Sequence, residues 1–178
     1  MAMESKKLEE TRLQLHESGF YYGQLSPHES LELLKNCRPG TFLLRDSSQT
    51  GTPFTLSYQT YRGPTSIRIK FQAGQFFTDV TESTDITQLK KFDSIFDLLQ
   101  FLQNAESLHG IVTSDGYVLI DENGKICPKI FLSQPLKKVP SNLMHLARLA
   151  VNKNSQDLQN SEIPQSLKEY LQAYPHTV

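Results

Sequence analysis

Phe42-Leu43-Leu44-Arg45-Asp46-Ser47-Ser48 is an apolar run with an arginine set into it. Pro39-Gly40 bounds it upstream, and apolar residues occupy both faces, the pattern of a strand covered on both sides. A guanidinium in such a strand is costly to bury unless negative charge meets it. Asp46 is its neighbour in sequence and so points to the opposite face. Ser47 and Ser48 follow at once, two hydroxyls with backbone N–H groups in a turn, donors suited to an oxyanion. Two readings stand on the strand alone. Arg45 makes an internal salt bridge with a distant carboxylate, or it waits for an anion from outside.

Upstream, Ser26-Pro27-His28-Glu29 combines an N-cap, a proline at the first helical position and the glutamate of a capping box. Leu31 and Leu34 give that helix an inner face, and Arg38-Pro39-Gly40 ends it. Before it lie the aromatic cluster Phe20-Tyr21-Tyr22-Gly23 and a helix expected from Ser5 to about His16, with Leu8 and Leu15 as an i,i+7 pair. That helix is too short to stand alone and must dock. Downstream, Phe54–Tyr58 alternates as an antiparallel strand should, and Ser66–Phe71 and Gln75–Phe77 read as further strands. Asp93 is placed to cap a helix carrying Ile95, Leu98, Leu99 and Leu102. Tyr117–Ile120 and Lys125–Cys127 flank the hairpin signal Asn123-Gly124, and Lys129–Leu132 is expected as a last strand. The order is that of an α+β domain, a central antiparallel sheet flanked by two helices.

The last forty or so residues change character. Ser141 or Asn142 can cap a helix with Leu143, Leu146, Ala147, Ala150 and Val151 at i, i+3, i+4, i+7, i+8. After Ile163-Pro164 a final helix carries Leu167, Tyr170, Leu171 and Tyr174. Two such helices cannot bury enough surface to be stable alone. Either the first packs its apolar stripe back on the domain, or it presents that stripe to a partner groove.

Composition excludes several classes of function. With 178 residues the chain holds one well-packed domain and a small appendage, and a net charge of −1 supplies no field for nucleic acid or anionic lipid. Cys37 and Cys127 lack CxxC spacing, which argues against a disulfide framework or a structural zinc and suits a reducing compartment. No apolar window reaches membrane-spanning length, so no membrane insertion and a cytoplasmic location are expected. The histidines (His16, His28, His109, His145 and His176) show no metal spacing, and Gly51 and Gly63 are isolated turn glycines rather than a phosphate loop. The expectation is a non-enzyme with no cofactor and no metal; a hydrolase is disfavoured for want of a nucleophile.

The aromatic cluster, the capping-box helix and Phe42–Ser47 together resemble a Src-homology 2 (SH2) domain, whose most specific mark is an arginine in an FLVR-like strand. Asn142-Leu143-x-x-x-Ala147-x-x-x-Val151 resembles the elongin-binding helix of a SOCS box, and Ile163-Pro164 sits where its cullin-binding motif lies. In this order the two motifs resemble the suppressor-of-cytokine-signalling (SOCS) family over nearly the whole chain. The resemblance implies an N-terminal helix over 1–19, an SH2 domain over 20–136 and a small all-α SOCS box over 137–178. It implies a phosphotyrosine site built from Arg45, Ser47, Ser48, Thr55 and Arg68, elongin contacts from Leu143, Leu146, Ala147 and Val151, and cullin contacts from Ile163 and Pro164.

The implied partners are a tyrosine-phosphorylated receptor or kinase, elongins C and B, and cullin-5. The implied role is substrate receptor of a ubiquitin ligase restraining cytokine receptor signalling through Janus kinases. The alternative is an adaptor that only blocks phosphotyrosine docking sites. The chain departs from the family at four places, one of them the Asn123-Gly124 hairpin, which falls in the loop that usually walls the pocket for residues C-terminal to phosphotyrosine. Pro27 stands where many SH2 domains have an arginine, so the pocket leans more on Arg68. Ala147 replaces a cysteine, keeping the position small and apolar while filling less volume. Ser161-Glu162-Ile163-Pro164 departs at two positions from Leu-Pro-apolar-Pro. A chain starting this near its first helix is not expected to carry the kinase-inhibitory segment of some relatives.

Overall fold

The protein is described by a computed structural model covering residues 2–78, 91–103, 110–113, 116–120, 126–128, 130, 132–138, 143–154, 164–172, 174 and 176. Its elements run α1 (Ala2–Ser18), α2 (Pro27–Leu34), β1 (Thr41–Asp46), β2 (Phe54–Thr60), β3 (Gly63–Gln72), β4 (Gln75–Thr78) and α3 (Ile95–Gln103). Then follow β5 (Gly110–Thr113), β6 (Gly116–Ile120), β7 (Ile126–Pro128), β8 (Gln134–Pro135), α4 (Leu143–Asn154) and α5 (Gln165–Gln172).

β1 is the inner strand that the sequence implies. It pairs antiparallel with β2 on one side and parallel with β8 on the other, in a five-stranded sheet ordered β4-β3-β2-β1-β8. The sheet is therefore mixed, antiparallel except at this one edge. The last described strand forms at Gln134–Pro135; of the expected Lys129–Leu132, Lys129 and Phe131 lie outside the described residues, and Ile130 and Leu132 are in no strand. Leu132 is instead buried in the core, and Pro135, which has no N–H, sits on the edge strand where none is needed. β5, β6 and β7 form a separate three-stranded sheet, of which the Asn123-Gly124 turn lies outside the described residues.

Alternation divides the main sheet into two faces. Phe42 and Leu44 of β1 and Phe54, Leu56 and Tyr58 of β2 join the core with Leu15 of α1, Phe20, Tyr174, and Ile95, Phe96, Leu98 and Leu99 of α3. Both flanking segments thus contribute to the core of the sheet. The opposite face carries Leu43, Arg45, Thr55 and Ser57 toward α2, whose Leu34 and Ser30 are buried.

α2 starts as its residues dictate. Glu29 N donates to Ser26 Oγ at 3.2 Å and Ser26 N donates to Glu29 Oε2 at 3.0 Å, the reciprocal capping box, with Pro27 at the first helical position. Leu34 is fully buried and Leu31 half-buried, while Cys37 is half-buried with its thiol on the Leu33 carbonyl. α3 is capped by Ser94 rather than by Asp93. Phe96 N donates to Ser94 Oγ at 3.1 Å, and Asp93 instead accepts from Gln75 Nε2. α1 runs past the expected Ser5–His16 at both ends and stops at Gly19, which takes φ +79.

Candidate phosphate pocket and partner-facing helix

Register builds the site. Arg45 of β1 pairs with Thr55 of β2, and Thr55 pairs with Arg68 of β3, so the three residues form one row across the sheet. All three line a cavity of about 410 Å³, together with Ser47 and Ser48 at the end of β1. The structure thus gathers all five residues expected at a phosphotyrosine site. Pro27, Ser66 and Ile67 complete the wall.

Arg45 is 4% exposed and forms no ion pair with any described carboxylate. Burial alone lowers its pKa from the usual guanidinium value, a shift that leaves it charged. Its protein partners are neutral: Nε donates to Ser57 Oγ at 3.3 Å and Nη1 donates to the Asp46 carbonyl at 3.2 Å. Of five N–H donors, three remain for whatever enters the cavity. The Asp46 carboxylate lies on the other face, as strand alternation requires. It accepts from Tyr21 OH at 2.5 Å and sits 3.8 Å from Arg12 Nη2 of α1. Burial, then that carboxylate, holds the Tyr21 hydroxyl well above its usual pKa.

Arg68 is exposed on the outer side of the row, and its strand lies between β2 and β4, not at an edge. Thr55 is buried between the two cations. Ser47 has local work as well. Its N–H donates to the Pro53 carbonyl at 3.3 Å and its Oγ accepts from Gln49 N at 3.2 Å, which leaves its hydroxyl proton for the cavity. The turn therefore offers the Ser47 hydroxyl but not the Ser47 amide. Ser57, Ser66 and Ser30 were not legible as site residues. Their hydroxyls meet only when two strands and a helix are in register.

Helix α4 reverses the usual amphipathic arrangement. The apolar stripe of α4 faces outward: Leu143 is 83% exposed, Leu146 48% and Val151 37%, with Ala147 and Ala150 exposed beside them. Its polar face docks instead, with His145 7% and Arg148 5% exposed, so His145 lies inside and not on a solvated side. Arg148 Nη2 pairs with Glu17 Oε2 of α1 at 3.0 Å and donates to His145 Nδ1 at 3.2 Å. Its Nη1 donates to the Tyr170 carbonyl at 3.3 Å, and its guanidinium carbon lies 4.5 Å from the Tyr170 ring centroid. Asn152 Nδ2 donates to the Tyr174 and His176 carbonyls at 2.7 and 3.0 Å. On α5, Leu171 is buried and Leu167 is exposed, and Tyr174, just past the helix, is buried. Pro164 is exposed at its start, where its carbonyl accepts from Leu167 and Lys168. Ile163 and the expected cap at Ser141 or Asn142 lie outside the described residues.

Residues 20–102 match the SH2 domain model. The mouse protein "Suppressor of cytokine signaling 2" is 31% identical over 98% of this chain and 84% of its own length. The chain belongs to the suppressor-of-cytokine-signalling family. The bovine "Cytokine-inducible SH2-containing protein" is 30% identical over 90% of this chain and 69% of its own length. Mouse "Suppressor of cytokine signaling 1" is 42% identical over 53% of this chain.

Within this SOCS-family chain the SH2 match spans α2 to α3 and contains every residue of the cavity. The first of these relatives aligns beyond it, over the two C-terminal helices as well. Among the described residues no His, Cys, Asp and Glu cluster could hold a metal, and no helix is long and apolar enough to cross a membrane.

Proposed function

We propose that this chain is a phosphotyrosine-binding substrate receptor of an elongin–cullin ubiquitin ligase that restrains cytokine signalling. One observation carries the first half: the Arg45–Thr55–Arg68 row, in which a buried guanidinium keeps three donors for an outside anion. A phosphotyrosine ester brings about −1.5 to −2 charge and three acceptor oxygens, which two arginines and the hydroxyls of Ser47, Ser48 and Thr55 balance. Arg45 meets it at the floor as a fork, and Arg68 closes it from the rim. The aryl ring supplies the reach to that floor; a phosphoserine is too short. SH2 membership and the names of the relatives support the same reading.

The exposed stripe of Leu143, Leu146, Ala147 and Val151 supports the second half, a helix that hands its apolar face to elongin C, with elongin B bound in turn. Cullin-5 would be met through Ile163 and Pro164. The chain itself performs no transfer; it holds a phosphorylated receptor or kinase near subunits that do. These roles place it in the cytoplasm. A module that only blocks docking sites would share the pocket but give no use to an outward apolar stripe. Co-expression with elongins B and C tests the assembly: a stable ternary complex is expected, and a chain that purifies alone leaves only the blocking role.

A further inference from the structure

Behind the cavity, Arg45 leans on a chain of serines. Arg45 Nε donates to Ser57 Oγ at 3.3 Å, Ser57 Oγ donates to Ser30 Oγ at 3.3 Å, and Ser30 Oγ donates to the Pro27 carbonyl at 2.7 Å. Ser66 Oγ lies 2.8 Å from Ser57 Oγ. A hydroxyl has one proton and two lone pairs. Ser57 gives its proton to Ser30, so both Arg45 and Ser66 donate to it, and its bonding capacity is filled. Ser57 is fully buried and has no alternative water partner to turn to.

We infer that Ser57 is a positioning residue for phosphate recognition, resting on the phosphotyrosine reading of the pocket. It fixes the guanidinium edge at Nε, so that the plane of Arg45 presents Nη2 and the second Nη1 hydrogen to the cavity. The chemistry explains why a hydroxyl occupies this place. A carboxylate there would orient Arg45 equally well but would neutralise it and compete with the ligand. A serine orients the cation and leaves its full charge for the dianion. The relay also ties the pocket floor to the first turn of α2, since its far end is the carbonyl of Pro27, itself part of the cavity wall. In a chain without a helix arginine at that position, α2 acts on the phosphate through Ser30 and Ser57 rather than by direct contact.

The test is an NMR titration of wild type, Ser57→Ala and Thr65→Ala with N-acetyl-phosphotyrosine amide, with the Arg45 Nε–H signal followed in the unliganded proteins; Thr65 is exposed on β3 and does not line the cavity. Wild type and Thr65→Ala should show a protected Nε–H and bind within about threefold of each other. Ser57→Ala should lose that protection and bind about tenfold or more weakly, the scale set by a buried donor left unmade. Unchanged binding by Ser57→Ala overturns the assignment, as does weakened binding with the Nε–H still protected, because Ser57 would then act through general packing. A wild-type chain that ignores the ester overturns the phosphotyrosine reading itself and the role of Ser57 with it.

Discussion

Arg45 and Arg68 stand two strands apart in a single cross-strand row, with Thr55 between them. Strand spacing puts their Cα atoms about 10 Å apart, a span that a phosphate can bridge when two long side chains converge on it. The two cations differ in kind. Arg45 is buried and orientated by neutral acceptors, whereas Arg68 is solvated and free to swing in. The first sets geometry and the second adds charge.

Arg68→Ala should weaken binding of a tyrosine-phosphorylated peptide about tenfold and reduce its dependence on salt, because an exposed cation acts through a screened field. Its thermal midpoint should match wild type, as expected for an exposed site. Calorimetry at two ionic strengths checks both; binding unaffected by the change would remove Arg68 from the site.

Leu143→Asp should abolish co-purification with elongins B and C and leave phosphopeptide affinity and unfolding midpoint as they were. The residue is 83% exposed in the chain alone, so its apolar side chain has work to do only in a complex. A complex that survives the charge would assign the partner face elsewhere.

Acid should loosen the C-terminal segment. His176 is stacked on Phe96 with ring centroids 3.7 Å apart, and burial lowers its pKa from the usual 6.5 to about 4. The native state therefore binds the proton less readily than the unfolded chain. Its contribution to stability is complete above about pH 6.5 and is lost as pH falls toward 4. His145 shifts the same way, from burial first and then from Lys137 and Arg148. His176→Phe keeps a stacked ring without the titration. Urea midpoints of wild type and variant should differ by a constant amount above pH 7 and shift in the variant's favour between pH 6 and 4.

Tyr174→Ala should destabilise the SH2 core by about 3–5 kcal/mol, although it lies far beyond the SH2 match. Tyr174 is fully buried, edge-on to Phe96 at 5.5 Å. Urea unfolding followed by tyrosine fluorescence and by circular dichroism should give one coincident transition. Two separated transitions would instead make the C-terminal helices an independent unit.

Local signals were readable in advance and relational ones were not. The capping box at Ser26–Glu29 and the arginine-bearing strand each depend on a few adjacent residues, and both form as their chemistry requires. The pocket residues on β2 and β3 came from the family resemblance, and register then put Thr55 and Arg68 beside Arg45. Ser30, Ser57 and Ser66 carried no such mark, since a serine in a helix or strand is ordinary until its partners are known. The stripe on α4 was visible as a period, but its docking by His145, Arg148 and Asn152 was not. Polar residues go inside only when partners such as Glu17 and the Tyr174 carbonyl are already there to meet them. The edge strand slipped to Gln134–Pro135 for a related reason: Leu132 was worth more in the core than in a ladder.

The central claim is that Arg45 meets a phosphate ester as a fork. Titrating one tyrosine-phosphorylated peptide and its unphosphorylated twin into wild type and Arg45→Lys tests it most directly. Lysine keeps the charge but cannot make two parallel N–H bonds or hold the Ser57 contact through Nε. Wild type should bind the phosphorylated peptide alone, and saturably, and Arg45→Lys should lose about a hundredfold or more in affinity with the fold intact. Equal affinity of the two proteins, or equal affinity for the two peptides, would contradict it.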